Sequence, residues 1–201
     1  MSPRRKIANR MIAVGCVLLI AAVIWLLYNL NRDWDAKQAS NAILEELDEA
    51  ISESVYHDSM EDDSPEFPDD MDTINIDGVE YVGYITIPDL EVELPVTKTW
   101  SLDKLKISPC RYSGNVENND LVICAHNYRS HFGRLRHLEN GAAVRFKDVH
   151  GTVTLYRVVA SEILQPTAIE DMTVSDADLT LFTCTYGGWT RYTVRCERVK
   201  K

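Results

Sequence analysis

Hydrophobic positions divide the chain into three stretches with different periods. Met11 to Leu30 is a nearly unbroken apolar run in which Asn29 is the only strongly polar residue. Its length matches the ~20 residues a helix needs to cross the hydrocarbon core of a bilayer. Ile43, Leu44, Leu47 and Ile51 then recur at helical spacing, which predicts an amphipathic helix over residues 36–56. From about residue 73 the pattern changes to short runs that are rich in β-branched residues or alternate in polarity. These are Val79 to Ile87, Leu90 to Val96, Leu121 to Ala125, Ala142 to Phe146, Val153 to Leu164, Leu179 to Thr185 and Tyr192 to Val199. Turn formers separate them: Pro88-Asp89, Ser113-Gly114-Asn115, Glu117-Asn118-Asn119-Asp120, His150-Gly151 and Gly187-Gly188. Ser130 to Leu138 is more helical, with Phe132, Leu135 and Leu138 on one face. The predicted class is mostly β: a closed β-barrel of about seven or eight strands with one or two short helices, preceded by a transmembrane helix.

Charge sharpens this division. Residues 1–32 carry five basic residues and no acidic one, whereas residues 33–72 carry fifteen acidic residues and one basic, Lys37. Residues 73–201 are nearly balanced, so the formal net charge of −10 belongs to the linker and says little about the ligand of the folded domain. Basic residues before the apolar run and acidic ones after it place residues 1–10 in the cytoplasm and the rest outside. Residues 11–30 read as a retained signal anchor. The run is longer than the apolar region of a cleaved signal peptide and has no small-x-small exit. Trp25, Tyr28 and Trp34 suit the outer interface, and Cys16 is a small apolar filler within the span. Residues 31–72 are expected to form an extracellular helix and an acidic tether, and residues 73–201 the folded β domain. The acids of residues 57–72 lack the Asp-x-Asp-x-Asp-Gly loop of a calcium site and read as a solvated spacer. No basic patch, aromatic RNA motif or zinc-type Cys/His spacing is present, which argues against nucleic-acid binding.

The chemistry concentrates around Leu179-Thr180-Leu181-Phe182-Thr183-Cys184-Thr185-Tyr186-Gly187-Gly188. Here a cysteine stands where an apolar strand gives way to a glycine turn, at the rim of the expected sheet. Of the five histidines, His126 alone directly follows a buried strand pattern, Leu121 to Ala125. Arg191 opens the next strand. A thiol, an imidazole and a guanidinium at strand ends suit acyl transfer by a cysteine nucleophile. Cys110, Cys124, Cys184 and Cys196 all follow the span, where disulfides persist, and two bridges among them can be drawn three ways. Cys124 and Cys196 lie within apolar strand patterns. Tyr192, Val194 and Cys196 share one face, with Arg191, Thr193 and Arg195 on the other. Cys110, in Ser108-Pro109-Cys110-Arg111-Tyr112, reads as a loop thiol.

Thr180-Leu181-Phe182-Thr183-Cys184 with a following arginine resembles the sortase family. So do Tyr84-Ile85-Thr86-Ile87-Pro88 followed by Leu94-Pro95-Val96, and Asp120-Leu121-Val122-Ile123-Cys124-Ala125-His126-Asn127. The resemblance spans residues 78–199. It implies a membrane-anchored cysteine transpeptidase of the Gram-positive cell surface, with Cys184 as nucleophile and His126 as general acid and base. Arg191 would stabilise the oxyanion, because it precedes the apolar part of the last strand as the family's arginine does; Arg195 is the runner-up. The implied partners are secreted proteins with a C-terminal Leu-Pro-x-Thr-Gly-like signal and an amine of the cell-wall precursor, with no metal or organic cofactor. Ala125 replaces the glycine usual before the family's histidine. The short His-to-Cys interval leaves little room for the long helix of class B, and nothing resembles a class C lid, so the subclass stays open. Leu94-Pro95-Val96-Thr97-Lys98 imitates a sorting signal but lies mid-domain in a strand, a coincidence of composition. Two rivals are an L,D-transpeptidase or other Cys-His wall peptidase, and an inert membrane-tethered β-domain. The first usually shows a Ser-x-Gly-Cys surround, which is absent; the second requires an unreactive Cys184.

Overall fold

The computed structural model describes residues 3–58 and 71–200, so most of the acidic tether lies outside the described residues. Helix α1 runs unbroken from Pro3 to Asp58. The two helical segments read separately from the sequence are continuous, because Asn31-Arg32-Asp33-Trp34-Asp35 contains no proline or glycine to stop a helix. The chain divides into two compact units, residues 1–35 and residues 36–201. The first is helix alone, and its apolar side chains from Met11 to Leu30 are exposed almost throughout. Among the described residues, this is the one helix long and apolar enough to cross a membrane.

The second unit is built on nine strands: β1 Ile74–Ile76, β2 Val79–Ile87, β3 Val92–Thr97, β4 Cys110–Ser113, β5 Leu121–Ala125, β6 Ala143–Asp148, β7 Val153–Leu164, β8 Leu179–Cys184 and β9 Arg191–Arg198. Their order is β1-β2-β3-β4-β5-β8-β9-β7-β6, and β6 pairs back onto β2, closing eight strands into a barrel with β1 as an extra edge on β2. Closure brings the backbones close: a Cβ added at Gly83 would overlap the Lys147 carbonyl, so β2 and β6 meet at a glycine. The pairings are antiparallel except β3–β4 and β5–β8. Inside lies a core that includes Val82, Ile85, Leu121, Ile123, Phe132, Phe146, Leu179, Leu181, Val194 and Cys196.

The strand pattern read from the sequence is present, with local differences. Pro88–Leu90 forms a 3-10 turn and β3 starts at Val92, because Glu91 adopts a left-handed conformation (φ +52°) that interrupts the extended chain. Cys110 opens strand β4 and is buried, whereas its local sequence reads as a loop. The short strand β1 and a five-residue helix α2, Ile169–Thr173, carry no periodic signal of their own. Phe132–His137 is 3-10 helical, and Phe132, Leu135 and Leu138 are all buried as their spacing requires.

Two further apolar clusters flank the barrel. In one, Leu47 and Ile51 of α1 are fully buried against Ile76, Tyr81 and Tyr84, joined by Ile43 and Leu44. Two such side chains contribute about 1.5–3 kcal/mol each on burial. Polar contacts fix the docking: Asp48 accepts from the Tyr84 hydroxyl and from Lys147 Nζ, both at 3.0 Å. The other cluster covers the outer face of β4, β5 and β8 and contains Cys110, Val122, Cys124, Met172 and Phe182, with Leu105, Tyr112 and Leu164 beside them.

Candidate active site

Strand β8 presents two faces. Leu179 and Leu181 enter the barrel core, while Phe182 belongs to the outer cluster. Alternation puts Cys184 on the outer face with Phe182, at the strand's last position. It is half-buried, unlike Cys110, Cys124 and Cys196, which are buried. Burial pushes the Cys196 thiol up to about 12 and raises those of Cys110 and Cys124. Reaction needs the thiolate, so these three are unsuited to nucleophilic work.

Strand pairing brings the other sequence-derived residues to the same end of the sheet. Parallel β5 and β8 run in register up to Ala125 opposite Thr183, and Thr183 Oγ1 donates to the Ala125 carbonyl at 2.9 Å. The next residues along the two strands are His126 and Cys184. On the other side, antiparallel β9 sets Arg191 directly opposite Cys184. Side chains in such a pair share a face, with Cβ atoms about 4.5–5.5 Å apart. The turn between them is tied by Thr185 and Thr190, whose hydroxyls lie 2.7 Å apart and whose backbones bond at 3.0 Å. Gly187 and Gly188 both take positive φ there, +78° and +75°. The Arg191 guanidinium donates to the Gly188 and Thr190 carbonyls at 3.1 and 3.2 Å, so it spans the turn beside the thiol's strand end.

His126 is half-buried, with Nδ1 2.9 Å from Asn127 Oδ1 and its ring stacked on Tyr128 at 4.0 Å and 5°. Other described histidines differ in their surroundings. His131 is buried beneath Tyr128 and His150 pairs with Asp72 at 2.8 Å, while His137 lies at the end of the 3-10 segment. Arg195 lies opposite Thr180, at the far end of β8 from Cys184, and is buried. Its guanidinium bonds to Glu162, Thr180, Ser175 and the Met172 and Asp171 carbonyls, fastening β7, β8 and the α2 segment together. Arg198 reaches Asn119 at 3.2 Å.

An aromatic shelf extends from the thiol's strand. Phe182 meets Tyr112 edge-on at 5.2 Å, and Tyr112 stacks on the exposed Trp100 at 5.8 Å. Sequence reasoning overlooked Trp100, Tyr112, Asn127 and Tyr128. The first two come from segments without periodicity; the last two stand immediately after His126, in a loop whose pattern gives them no role. Among the described residues no group of three or more His, Cys, Asp and Glu side chains is arranged to hold a metal ion. The arrangement supports acyl transfer by a thiol, with an imidazole to move protons, a guanidinium to meet negative charge, and an apolar surface for an extended ligand.

Comparison with known proteins identifies the family. The family model described as a sortase domain matches residues 85–199. No curated protein sequence matches the chain. Among solved structures, the chain is similar to a Clostridium perfringens sortase C with the C-terminal cell wall sorting motif: 25% identity, 80% of this chain and 91% of that one, TM-score 0.55. A Streptococcus pneumoniae sortase C gives 22% identity, coverage of 80% and 97%, and TM-score 0.59. A Clostridium perfringens sortase D5 transpeptidase gives 18%, coverage of 81% and 99%, and 0.59.

Proposed function

The chain belongs to the sortase family, and from that premise we propose that it is a membrane-anchored cysteine transpeptidase acting on a Leu-Pro-x-Thr-Gly-like sorting signal. Cys184 attacks the backbone carbonyl of the signal's threonine, and Arg191 with backbone N–H groups meets the oxyanion of the tetrahedral intermediate. His126 protonates the departing amine, leaving an acyl thioester on Cys184. The same imidazole then takes a proton from the incoming amine of a cell-wall precursor, which expels the thiol and completes transfer. Water in place of the amine gives slow hydrolysis.

The observation that carries this reading is the arrangement at the strand ends: Cys184 lies directly opposite Arg191 on one side and follows the register that ends beside His126 on the other. The Trp100–Tyr112–Phe182 shelf supports an extended peptide with an apolar residue. The relative solved with a sorting motif supports the substrate class. The apolar helix supports a single-pass anchor in the cell membrane through residues 11–30, basic end cytoplasmic and residues 73–201 outside.

The test is intact-mass analysis of the purified full chain with a Leu-Pro-x-Thr-Gly peptide. A thioester adduct should form and vanish in Cys184→Ala. An adduct that survives that substitution, or no adduct across a panel of sorting peptides, overturns the reading.

A further inference from the structure

We propose that Asn127 and Tyr128 are positioning residues that hold the His126 imidazole in one tautomer and one plane for acyl transfer. This rests on the acid–base role proposed for His126 and adds the group that makes that role work. A neutral imidazole carries one N–H and one lone pair, and its hydrogen-bond partners select which nitrogen has which. Asn127 Oδ1, 2.9 Å from Nδ1, accepts hydrogen bonds and donates none. It therefore keeps the proton on Nδ1 and makes Nε2 the nitrogen that exchanges protons. When the ring is protonated, the same bond persists, because both nitrogens then donate. Asn127 thus completes the nucleophile–base–orienter arrangement that recurs among cysteine enzymes on unrelated folds.

Tyr128 fixes the remaining freedom. Its ring lies face to face with the imidazole, 4.0 Å away and tilted by 5°, so rotation of His126 out of this plane loses the stack and the bond to Asn127 together. An aromatic face at this distance also favours the imidazolium over the neutral ring, through its quadrupole. The cation is the form that must protonate the leaving amine.

The loop that carries the pair is anchored rather than incidental. The His131 and Gly133 amides donate to the Tyr128 carbonyl at 3.0 and 2.8 Å, and the Phe132 amide donates to the His126 carbonyl at 3.2 Å. A Cβ added at Gly133 would overlap the Asn127 and Tyr128 carbonyls, so the tight return needs glycine at that point. Phe132 and Leu135, both fully buried, nail the far end of this loop into the core. The titratable and charged groups on this loop and beside it include Tyr128, Arg129 and His131, with Arg134, Arg136 and His137 on the 3-10 segment that follows, Cys184 at the end of β8 and Arg191 at the start of β9.

The test is the pH profile of kcat and KM for the full chain in detergent, with a quenched Leu-Pro-x-Thr-Gly peptide, together with thermal melting. Asn127→Leu should lower kcat on the order of 10-fold or more with little change in KM, as expected when a catalytic group loses its orientation. Asn127→Asp should restore most of kcat and move the histidine limb of the profile to higher pH, because a carboxylate stabilises the imidazolium. Tyr128→Phe keeps the aromatic face and should leave the histidine limb where it is, while Tyr128→Leu should move that limb to lower pH. Wild-type kcat and an unmoved profile in both Asn127→Leu and Tyr128→Leu would overturn the proposal. So would a loss of kcat that tracks the fall in melting temperature, leaves the limb in place and is not rescued by Asn127→Asp. His126→Ala separates the two layers: if it retains activity, the acid–base reading itself falls, whatever the neighbours do.

Discussion

Cys184 and Arg191 face each other across the last rung of the β8–β9 ladder, with only a six-residue turn between them. Arg195, four residues along the same strand, spends its guanidinium on Glu162, Thr180, Ser175 and two carbonyls. The two arginines therefore have separable consequences. Arg191→Ala should cut transpeptidation on the order of 10²-fold or more while leaving the melting temperature near wild type, as for loss of an oxyanion donor. Arg195→Ala should chiefly destabilise, by about 1–3 kcal/mol, because it leaves the buried Thr180 hydroxyl and Met172 carbonyl without their donor. Peptide-release kinetics beside thermal melts check both, and a greater activity loss at constant stability in Arg195→Ala would misplace the oxyanion site.

Thiol chemistry should distinguish the cysteines. Cys184 is half-buried at a strand end, whereas Cys110, Cys124 and Cys196 are buried and their thiols are raised. In the reduced native chain a small alkylating reagent should modify Cys184 and spare these three, and denaturant should release them all. Mass mapping of the modified peptides reads this directly. Native labelling of Cys124 or Cys196 would contradict the packing.

The docked part of α1 should contribute to barrel stability in a pH-dependent way. The hydrogen bond from Lys147 draws the Asp48 carboxyl below its ordinary range, against partial desolvation. A depressed carboxylate stabilises the folded state above its unfolded pKa, and that contribution is lost as pH falls through the still lower folded value. The group is largely solvated, so the term stays under about 1 kcal/mol. Asp48→Asn should remove it and flatten this part of the acid limb of stability below about pH 4. Leu47→Ala, which empties a fully buried site, should cost about 2–5 kcal/mol at any pH. Denaturant melts at pH 3.5 and 7 compare them, and equal effects of Leu47→Ala and wild type would show the docking to be marginal.

Membrane topology is open to the same thiol. An impermeant maleimide added to intact protoplasts should label wild type and fail to label Cys184→Ala. Labelling that appears only after permeabilisation would reverse the orientation drawn from the basic residues ahead of the span.

Much of this was legible in the chain because alternation and punctuation agree. Val153–Leu164 and Leu121–Ala125 are bounded as strands by their own residues, and Cys184 stands where the apolar run stops. What escaped was structure decided by partners. β4 has no periodic signature, since Cys110 is held by its place opposite Cys124, and β1 exists only as an addition to β2. The amphipathic face of α1 was visible at Ile43, Leu44, Leu47 and Ile51, but the tyrosines it covers could not be inferred from spacing alone. The same holds for Asn127 and Tyr128, whose hold on His126 depends on a loop folded around Gly133.

The parallel pairing of β5 with β8 also sets when the site can exist. His126 and Cys184 are neighbours only because the chain travels through β6, β7 and α2 before returning to lie beside β5. Arg191 joins only when β9 has folded back on β8. Loop-closure entropy for so long a detour must be met before any contact rewards it. In a chain that folds as it emerges, the Cys184 thiol, the His126 imidazole and the Arg191 guanidinium stay apart until β8 and β9 have joined β5. The arrangement of these three side chains is thus a property of the closed barrel and of no shorter part of it.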